Sequence, residues 1–335
     1  MKNLLYIGNK LSNHGVTPTT IETLGPLLEQ EGFNICYSSS KNNKSLRLVA
    51  MLYTVFRYRK ADAVLIDTYS TTNFWYAFGT SQLCRVLRIK YIPILHGGNL
   101  AFRLHQNPRI CKMIFNNSYH NVSPSLFLKE QFNTLGCKNV IYIPNAIELH
   151  NYPFLARIKA SPNLLWVRSF ARIYNPMMAV QVYYELKKTY PLATLRMVGP
   201  EKDGSLVEAK QKAKDLDLDI HFTGKLSKQD WIKISKESDI FINTTHFDNM
   251  PVSIIEAMSL GLAVVSTNVG GIPYMLEEQK EALLIPDNDV EKMVDALKSL
   301  IESQVLFTEL VLNSRQKAEQ FEWVKVKLSW MNILK

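Results

Sequence analysis

The sequence predicts an α/β protein built from two Rossmann-like domains facing a cleft. Three observations predict it. At 335 residues the chain is too long for one ordinary core and suits two domains of about 150 residues each. Short apolar strands alternate with helices along its length, which is the pattern of parallel sheets with helices on both faces. The alternation pauses once, in a polar stretch that ends at Ser161-Pro162-Asn163 and reads as the hinge between two units. The composition agrees: 47% hydrophobic and 21% charged residues make a globular chain, not a disordered one.

In the first half, strands are expected near 4–8, 34–38, 62–67, 91–96, 119–123 and 140–144. Helices are expected near 18–31, 44–60, 72–88, 106–116 and 124–135. Thr17 followed by Pro18 is a hydroxyl cap with proline at the first turn, and Ile21, Leu24 and Leu28 then share one helix face. In the second half, strands are expected at 164–167, 194–199, 220–223, 239–243, 262–267 and 282–286. Helices alternate with them near 176–190, 204–216, 227–237, 252–260, 272–278 and 290–303. In such sheets ligands bind at the carboxyl ends of the strands, so residues just after each strand are the functional candidates.

Several classes are set aside. No apolar run reaches the roughly 20 residues that span a bilayer. The longest, Leu46 to Phe56, carries Arg47. The N-terminus reads as a first buried strand and not as a signal peptide. Cys36, Cys84, Cys111 and Cys137 form no C-x-x-C pair, so reduced, mostly buried thiols in a cytoplasmic protein are expected.

The net charge of +9 is unevenly placed. Residues 1–150 hold 16 Lys+Arg and 7 Asp+Glu, and residues 151–335 hold 23 of each, so the first half carries the whole excess. No acid lies between Glu31 and Asp62. That window holds Lys41, Lys44, Arg47, Arg57, Arg59 and Lys60, interleaved with Leu46, Leu48, Met51, Leu52, Tyr53, Phe56 and Tyr58. A basic, aromatic-rich helix suits an anionic membrane surface; a core helix with solvated basic ends is the plainer reading. No nucleic-acid motif accompanies the charges, so no nucleic-acid partner is expected.

The most informative segment runs from Phe247 to Met258, F-D-N-M-P-V-S-I-I-E-A-M. Pro251 suits a first helical turn and Gly261 is placed to end the helix. Asp248 then lies at the helix mouth, with Glu256 about 7–8 Å further along the axis. Two acids so spaced can read two ends of one polar ligand, with free N–H groups holding a phosphate between them. A capping Asp and a solvated Glu would show the same spacing. Val264 to Pro273 follows as a buried strand, a Gly270-Gly271 turn and a proline opening a helix. Paired glycines let a backbone approach a ligand closely.

From Asn243 to Asp287 the chain resembles the donor-site signature of family 4 glycosyltransferases, retaining enzymes of the GT-B fold. D-N-M-P-V-S-I-I-E-A-M-S-L-G-L-A-V-V-S-T-N-V-G-G-I-P-Y matches their E-x(7)-E pattern in order and spacing. Weaker matches span most of the chain: Leu95-His96-Gly97-Gly98, Val122-Ser123, Ile143-Pro144-Asn145-Ala146, Phe222-Thr223-Gly224, Ser238-Asp239 and the terminal Phe321-Glu322-Trp323 helix. The resemblance implies an acceptor-binding domain at 1–150, a donor-binding domain at 151–315, and a helix at 316–335 packing back on the first domain.

It also implies roles. Glu256 hydrogen-bonds a nucleotide ribose, Asp248 holds hydroxyls of the donor sugar, and backbone amides around Asn249, Met250, Val252 and Ser253 meet the diphosphate. Gly15 lets the acceptor domain approach the donor. His96 matches a histidine near the reacting sugar carbon, although a histidine that merely ends a strand would look alike. Asp248, Glu256 and His96 are thus the catalytic candidates. The family's G-R-L-x-x-x-K-G is replaced by Trp166-Val167-Arg168-Ser169-Phe170-Ala171-Arg172-Ile173-Tyr174-Asn175-Pro176, with Ser169 and Tyr174 standing where the Arg and Lys belong. Arg168, Arg172 or Lys225 could supply the missing charge.

The implied activity is transfer of a sugar from a nucleotide-sugar donor to a glycan or lipid-linked acceptor, with retention, in bacterial surface polysaccharide assembly. The leaving diphosphate needs positive charge and helix amides, and no metal or other cofactor is called for. Two other readings stay open: a nucleotide-sugar epimerase of the same fold, and a non-catalytic nucleotide-sugar or glycan-binding subunit. A dinucleotide-dependent dehydrogenase is disfavoured, because Gly8-Asn9-Lys10-Leu11-Ser12-Asn13 lacks G-x-G-x-x-G. The expected location is cytoplasmic, peripheral on the inner face of the membrane.

Overall fold

The computed structural model describes residues 2–11, 19–97 and 99–335. The chain divides into two compact units, Met1–Ala146 with Trp323–Lys335, and Ile147–Glu322.

The first unit holds strands β1 (Asn3–Ile7), β2 (Asn34–Ser38), β3 (Ala63–Thr68), β4 (Tyr91–Leu95), β5 (Asn121–Ser123) and β6 (Val140–Tyr142). They form one parallel sheet in the order β2-β1-β3-β4-β5-β6. β3 and β4 are buried at every position, as strands covered on both faces must be. The covering helices are α1 (Thr20–Gln30), α2 (Lys44–Arg57), α3 (Asn73–Val86), α4 (Leu100–Gln106), α5 (Pro108–Phe115) and α6 (Leu126–Thr134). Two expectations need correction. The cap of α1 is Thr19, whose N–H donates to the Glu22 carboxylate at 3.2 Å; Thr17 and Pro18 lie outside the described residues. The helix expected at 106–116 is α5, and a further helix not expected, α4, precedes it; the two are separate because proline disfavours a helical residue before it. Asn107 sits at φ −128° and ψ 55°, and Pro108 opens α5.

The second unit holds β7 (Asn163–Val167), β8 (Thr194–Val198), β9 (His221–Gly224), β10 (Ile240–Asn243), β11 (Ala263–Thr267) and β12 (Leu283–Ile285). They form a second parallel sheet in the order β12-β11-β10-β7-β8-β9. Its helices are α7 (Pro176–Thr189), α8 (Ser205–Asp215), α9 (Lys228–Ser235), α10 (Val252–Ser259), α11 (Ile272–Met275), α12 (Val290–Glu302) and α13 (Gln304–Ala318).

The closing helix starts later than the expected residue 316. α13 occupies that stretch and buries Phe307, Leu310 and Val311 in the core of the second unit. The chain leaves that unit where Ile147 and Glu322 pair, the Ile147 N–H donating to the Phe321 carbonyl at 2.9 Å. Helix α14 (Trp323–Leu334) then rejoins the first unit. Its Trp323, Val326, Trp330, Ile333 and Leu334 pack in one core with Leu4, Tyr6 and Ile92.

Each sheet reverses its winding once: between β1 and β3 in the first unit, and between β7 and β10 in the second. These switch points are where parallel sheets open a crevice at the strand ends.

Candidate functional site

At the second unit's switch point, β7 delivers Arg168 and β10 delivers the loop that carries Asp248. Buried polar contacts fix this loop on the strand ends. Trp166 Nε1 donates to Thr244 Oγ1 at 3.1 Å, Asn243 Nδ2 to Ser266 Oγ at 2.9 Å, and Thr267 Oγ1 to the Thr245 carbonyl at 2.6 Å. Arg168 pairs with Asp248. Its guanidinium also lies over the Tyr174 ring, 4.3 Å from the centroid. Burial lowers the guanidinium pKa from its ordinary value, and the Tyr174 and Glu256 charges oppose that shift. Asp248 Oδ1 accepts from the Asn249 N–H at 2.7 Å, so both Asp248 oxygens are engaged within the protein.

The Gly270-Gly271 turn approaches that loop, not an open ligand space as expected. The Gly271 N–H donates to the Asp248 carbonyl at 2.8 Å. A Cβ on Gly271 would lie 1.8 Å from the Asn249 carbonyl oxygen, and one on Gly270 2.2 Å from that of Asp248. The glycines therefore let two protein segments touch.

Pro251 caps α10, and Val252 and Ser253 form its first turn, whose N–H groups precede any intrahelical bond. Ser253 Oγ is buried and has no partner among the described residues. Glu256 follows one turn later on the same face. Its Oε1 accepts from Tyr152 Oη at 2.6 Å and faces Lys228 Nζ at 2.9 Å. Lys228 Nζ also stands 5.3 Å from the Tyr152 ring centroid. Burial, then the Glu256 charge, raises the Tyr152 hydroxyl pKa well above its usual value. Neither Tyr152 nor Lys228 was expected. Tyr152 lies in the polar stretch before the hinge, and Lys228 reads as an ordinary surface residue opening a helix.

The remaining cationic candidates are exposed. Arg172 is 70% exposed at its side chain and pairs with Glu208 at 2.6 Å. Lys225 is exposed just after β9. The acid triplets Asp215-Leu216-Asp217-Leu218-Asp219 and Asp287-Asn288-Asp289 have metal-binding form in sequence, but they serve local structure. Asp215 accepts from Gln211 at 2.7 Å, Asp287 pairs with His246 at 2.9 Å, and Asp289 caps α12. Among the described residues no three His, Cys, Asp or Glu side chains converge as metal ligands.

In the first unit, His96 closes β4 and its Nε2 meets Asp67 Oδ1 at 2.8 Å. Tyr6 Oη donates to the same oxygen at 3.1 Å, and the Tyr69 ring stacks on His96 at 4.7 Å. Burial, then the Asp67 charge, pushes the Tyr6 hydroxyl pKa far up. Asp67 Oδ2 is buried without a partner among the described residues, facing Gly8, where a Cβ would come within 2.6 Å. Gly15 lies outside the described residues.

Of the six cations expected on a membrane-facing surface, Arg47 is not there. It is buried, donating to the carbonyls of Lys41 at 2.6 Å and Asn42 at 3.0 Å and to Asn9 Oδ1 at 3.0 Å. Lys41, Lys44, Arg57, Arg59 and Lys60 are exposed. Between them α2 turns an apolar stripe outward: Leu46, Val49, Tyr53 and Phe56 are 60%, 63%, 65% and 54% exposed. A cavity of about 900 Å³ adjoins its end, lined by Tyr37, Tyr53, Phe56, Arg57, Tyr58 and Lys60 among others.

Residues 161–303 match the family model described as glycosyl transferases group 1. An uncharacterised glycosyltransferase of Haemophilus influenzae is 26% identical over 207 residues, 62% of this chain and 57% of that protein. An Escherichia coli UDP-Gal:alpha-D-GlcNAc-diphosphoundecaprenol alpha-1,3-galactosyltransferase is 22% identical, covering 56% of this chain and 51% of its own length. The chain thus spans about half the length of the curated relatives it matches. Anabaena HepE, solved with UDP and glucose, superposes with a TM-score of 0.80 at 14% identity, covering 100% of this chain and 99% of that one. The chain thus has the GT-B fold, and over residues 161–303 its sequence is similar to the group 1 glycosyltransferases.

Proposed function

We propose that the chain transfers a sugar, with retention, from a nucleoside-diphosphate donor to a hydroxyl of a glycan or lipid-linked acceptor. The observation that carries this reading is the mouth of α10. First-turn N–H groups outside the intrahelical ladder, and a buried Ser253 hydroxyl with no partner among the described residues, stand one turn before Glu256, beside the switch point. A helix N-terminus with an idle buried hydroxyl suits a diphosphate, and a carboxylate one turn on suits ribose hydroxyls. Similar proteins support the donor class: HepE was solved with UDP, and the Escherichia coli relative is named for UDP-Gal.

The acceptor oxygen attacks the anomeric carbon on the face the diphosphate leaves. The carbon–oxygen bond to the β-phosphate breaks, and the departing phosphate takes the acceptor proton. No enzyme nucleophile is needed. The residues' task is to stabilise charge growing on the diphosphate, through α10 amides and through Arg168 at the end of β7. Arg168 reaches that task by yielding part of its contact with Asp248, which then meets the sugar hydroxyls. The resemblance to family 4 assigns His96 a place near the reacting carbon. The diphosphoundecaprenol acceptor in the name of the Escherichia coli relative supports a role in bacterial surface polysaccharide assembly. The outward stripe and cations of α2 fit peripheral attachment to an anionic membrane, and no described helix is long and apolar enough to cross one.

A thermal-shift screen with UDP, GDP, ADP, dTDP and their sugar conjugates tests this reading. At 100 times its dissociation constant a ligand stabilises by about 2.7 kcal/mol. Glu256→Ala abolishes the shift and transfer while the variant stays folded. No shift with any nucleotide overturns the donor assignment; a shift without turnover favours the non-catalytic subunit.

A further inference from the structure

The Glu256 carboxylate is unevenly used. Its Oε1 takes both the Tyr152 hydroxyl and the Lys228 ammonium, at 2.6 Å and 2.9 Å. Among the described residues, no protein donor is recorded for Oε2. The three residues come from three separate places: Tyr152 from the segment before β7, Lys228 from the start of α9, and Glu256 from α10. Tyr152 is buried, so its rigid phenol pins the carboxylate. Lys228 is different in kind. Its side chain is 55% exposed, and an ammonium carries three donors, of which Glu256 takes one.

We propose that Lys228 is a specificity residue that reads a ribose hydroxyl together with Glu256, and that Tyr152 is the positioning residue that makes this possible. The inference rests on the donor reading of Glu256 and extends it to two residues that reading does not contain. A ribose hydroxyl both donates and accepts. Placed at Glu256 it donates its proton to Oε2, and its oxygen is left to accept from a second group. Lys228 Nζ, 2.9 Å from Oε1, is the cation paired with this carboxylate. Tyr152 occupies Oε1 from the buried side, so the carboxylate cannot turn to offer both oxygens to Lys228. A ligand lacking the hydroxyl leaves Oε2 without its proton donor and Lys228 with an unused donor, and sites built to bond a hydroxyl reject analogues that lack it. The pair therefore selects ribonucleotides over deoxyribonucleotides, whatever the base.

The test is calorimetric binding of UDP, GDP and ADP, each against its 2′-deoxy and 3′-deoxy counterparts. Wild type is compared with Lys228→Met, Lys228→Arg, Tyr152→Phe and Glu256→Gln, with circular dichroism confirming the fold of each. Wild type should prefer the ribonucleotide over one deoxy form by about 100-fold or more, the worth of two charge-assisted hydrogen bonds. Lys228→Met should shrink that preference by about tenfold, leaving the share that Glu256 carries, while affinity for the deoxy form barely moves. Lys228→Arg should restore most of it, and Tyr152→Phe should weaken ribonucleotide binding without reversing the preference. Raising the salt weakens all binding by screening but leaves the ratio in place. If Lys228→Met weakens both forms equally, or neither, the proposal is wrong. The donor reading fails differently: no nucleoside diphosphate binds wild type, or Glu256→Gln binds as wild type does.

Discussion

Arg168 and Asp248 pair across the ends of β7 and β10, and the pair is the sole ionic contact found for either residue among the described residues. Arg168 is buried against Tyr174, so its charge depends on Asp248 as its direct partner, with Glu256 supporting it from further off. A buried charge stripped of its partner costs far more than the pair contributes. Asp248→Ala should therefore destabilise by about 3–5 kcal/mol in urea unfolding. The double variant Arg168→Met, Asp248→Ala should recover much of that loss, because no charge is then stranded. A double variant as unstable as Asp248→Ala alone would show that the pair does not act as a unit.

The Gly-Gly turn gives a second expectation. Gly271 has φ −86°, which any residue can adopt, so an alanine there costs space and not backbone strain. Its Cβ would sit 1.8 Å from the Asn249 carbonyl oxygen. That oxygen belongs to backbone, so the loop from Asp248 to Met250 must move. Gly271→Ala should lower stability by about 1–3 kcal/mol and should also remove nucleotide-induced stabilisation, since the loop leads into α10. Retained nucleotide shift with lowered stability would separate the turn from the site.

The twelve strands were legible because a strand covered on both faces is a short apolar run, and each expected run falls within two residues of its strand. Asp248, Glu256 and the glycines were legible because they share one short segment. Tyr152 and Lys228 were not. Their partner Glu256 lies 104 residues from Tyr152, and no local pattern marks a contact made only when β7, α9 and α10 come together. Arg47 misled for the same reason. In sequence it belongs to a basic stripe, whereas in the fold the loop at Lys41-Asn42 and Asn9 wrap its guanidinium.

The thiols should react unequally. Burial raises the Cys84 and Cys111 thiols to about 12, and raises Cys137 as well. The thiolate is the reactive form, so a thiol raised by three units has roughly a thousandth of the thiolate at pH 8. Cys36 is only half-buried. Iodoacetamide at pH 8 should label Cys36 first in the native protein and the other three only after unfolding. Early labelling of Cys84 would place a local opening in the first unit.

The α2 surface makes a prediction in which two substitutions of the same residue type part company. Neutralising Arg57, Arg59 and Lys60 to Gln should weaken binding to phosphatidylglycerol vesicles by about 1 kcal/mol per charge, more at low salt. Val49→Glu with Tyr53→Glu should weaken it at every salt concentration, because they break the apolar stripe. Arg47→Gln should instead lower stability, leaving vesicle binding by the folded protein unchanged. Equal binding by all variants would leave the stripe without a lipid role.

Asp67 offers the sharpest test of the first unit. Its carboxylate only accepts, so the 2.8 Å contact fixes His96 Nε2 as the protonated nitrogen. A neutral His96 then presents Nδ1 as an acceptor. Asp67→Asn keeps the shape, but its amide can donate to Nε2 and so reverse the tautomer. The folding cost should be modest: Asp67 Oδ2 has no partner to lose among the described residues, but Tyr6 shares Oδ1 with His96 and must accept from the amide instead of donating. If His96 works beside the reacting sugar, the transfer rate should fall by about a hundredfold or more, the scale of one positioned proton-handling group. Donor affinity should hold under the proposed reading, in which Glu256 and the mouth of α10 take the donor. Nitrogen-15 shifts of the imidazole would report the tautomer directly. A reversed tautomer with an unchanged transfer rate would reduce His96 to a histidine that closes β4.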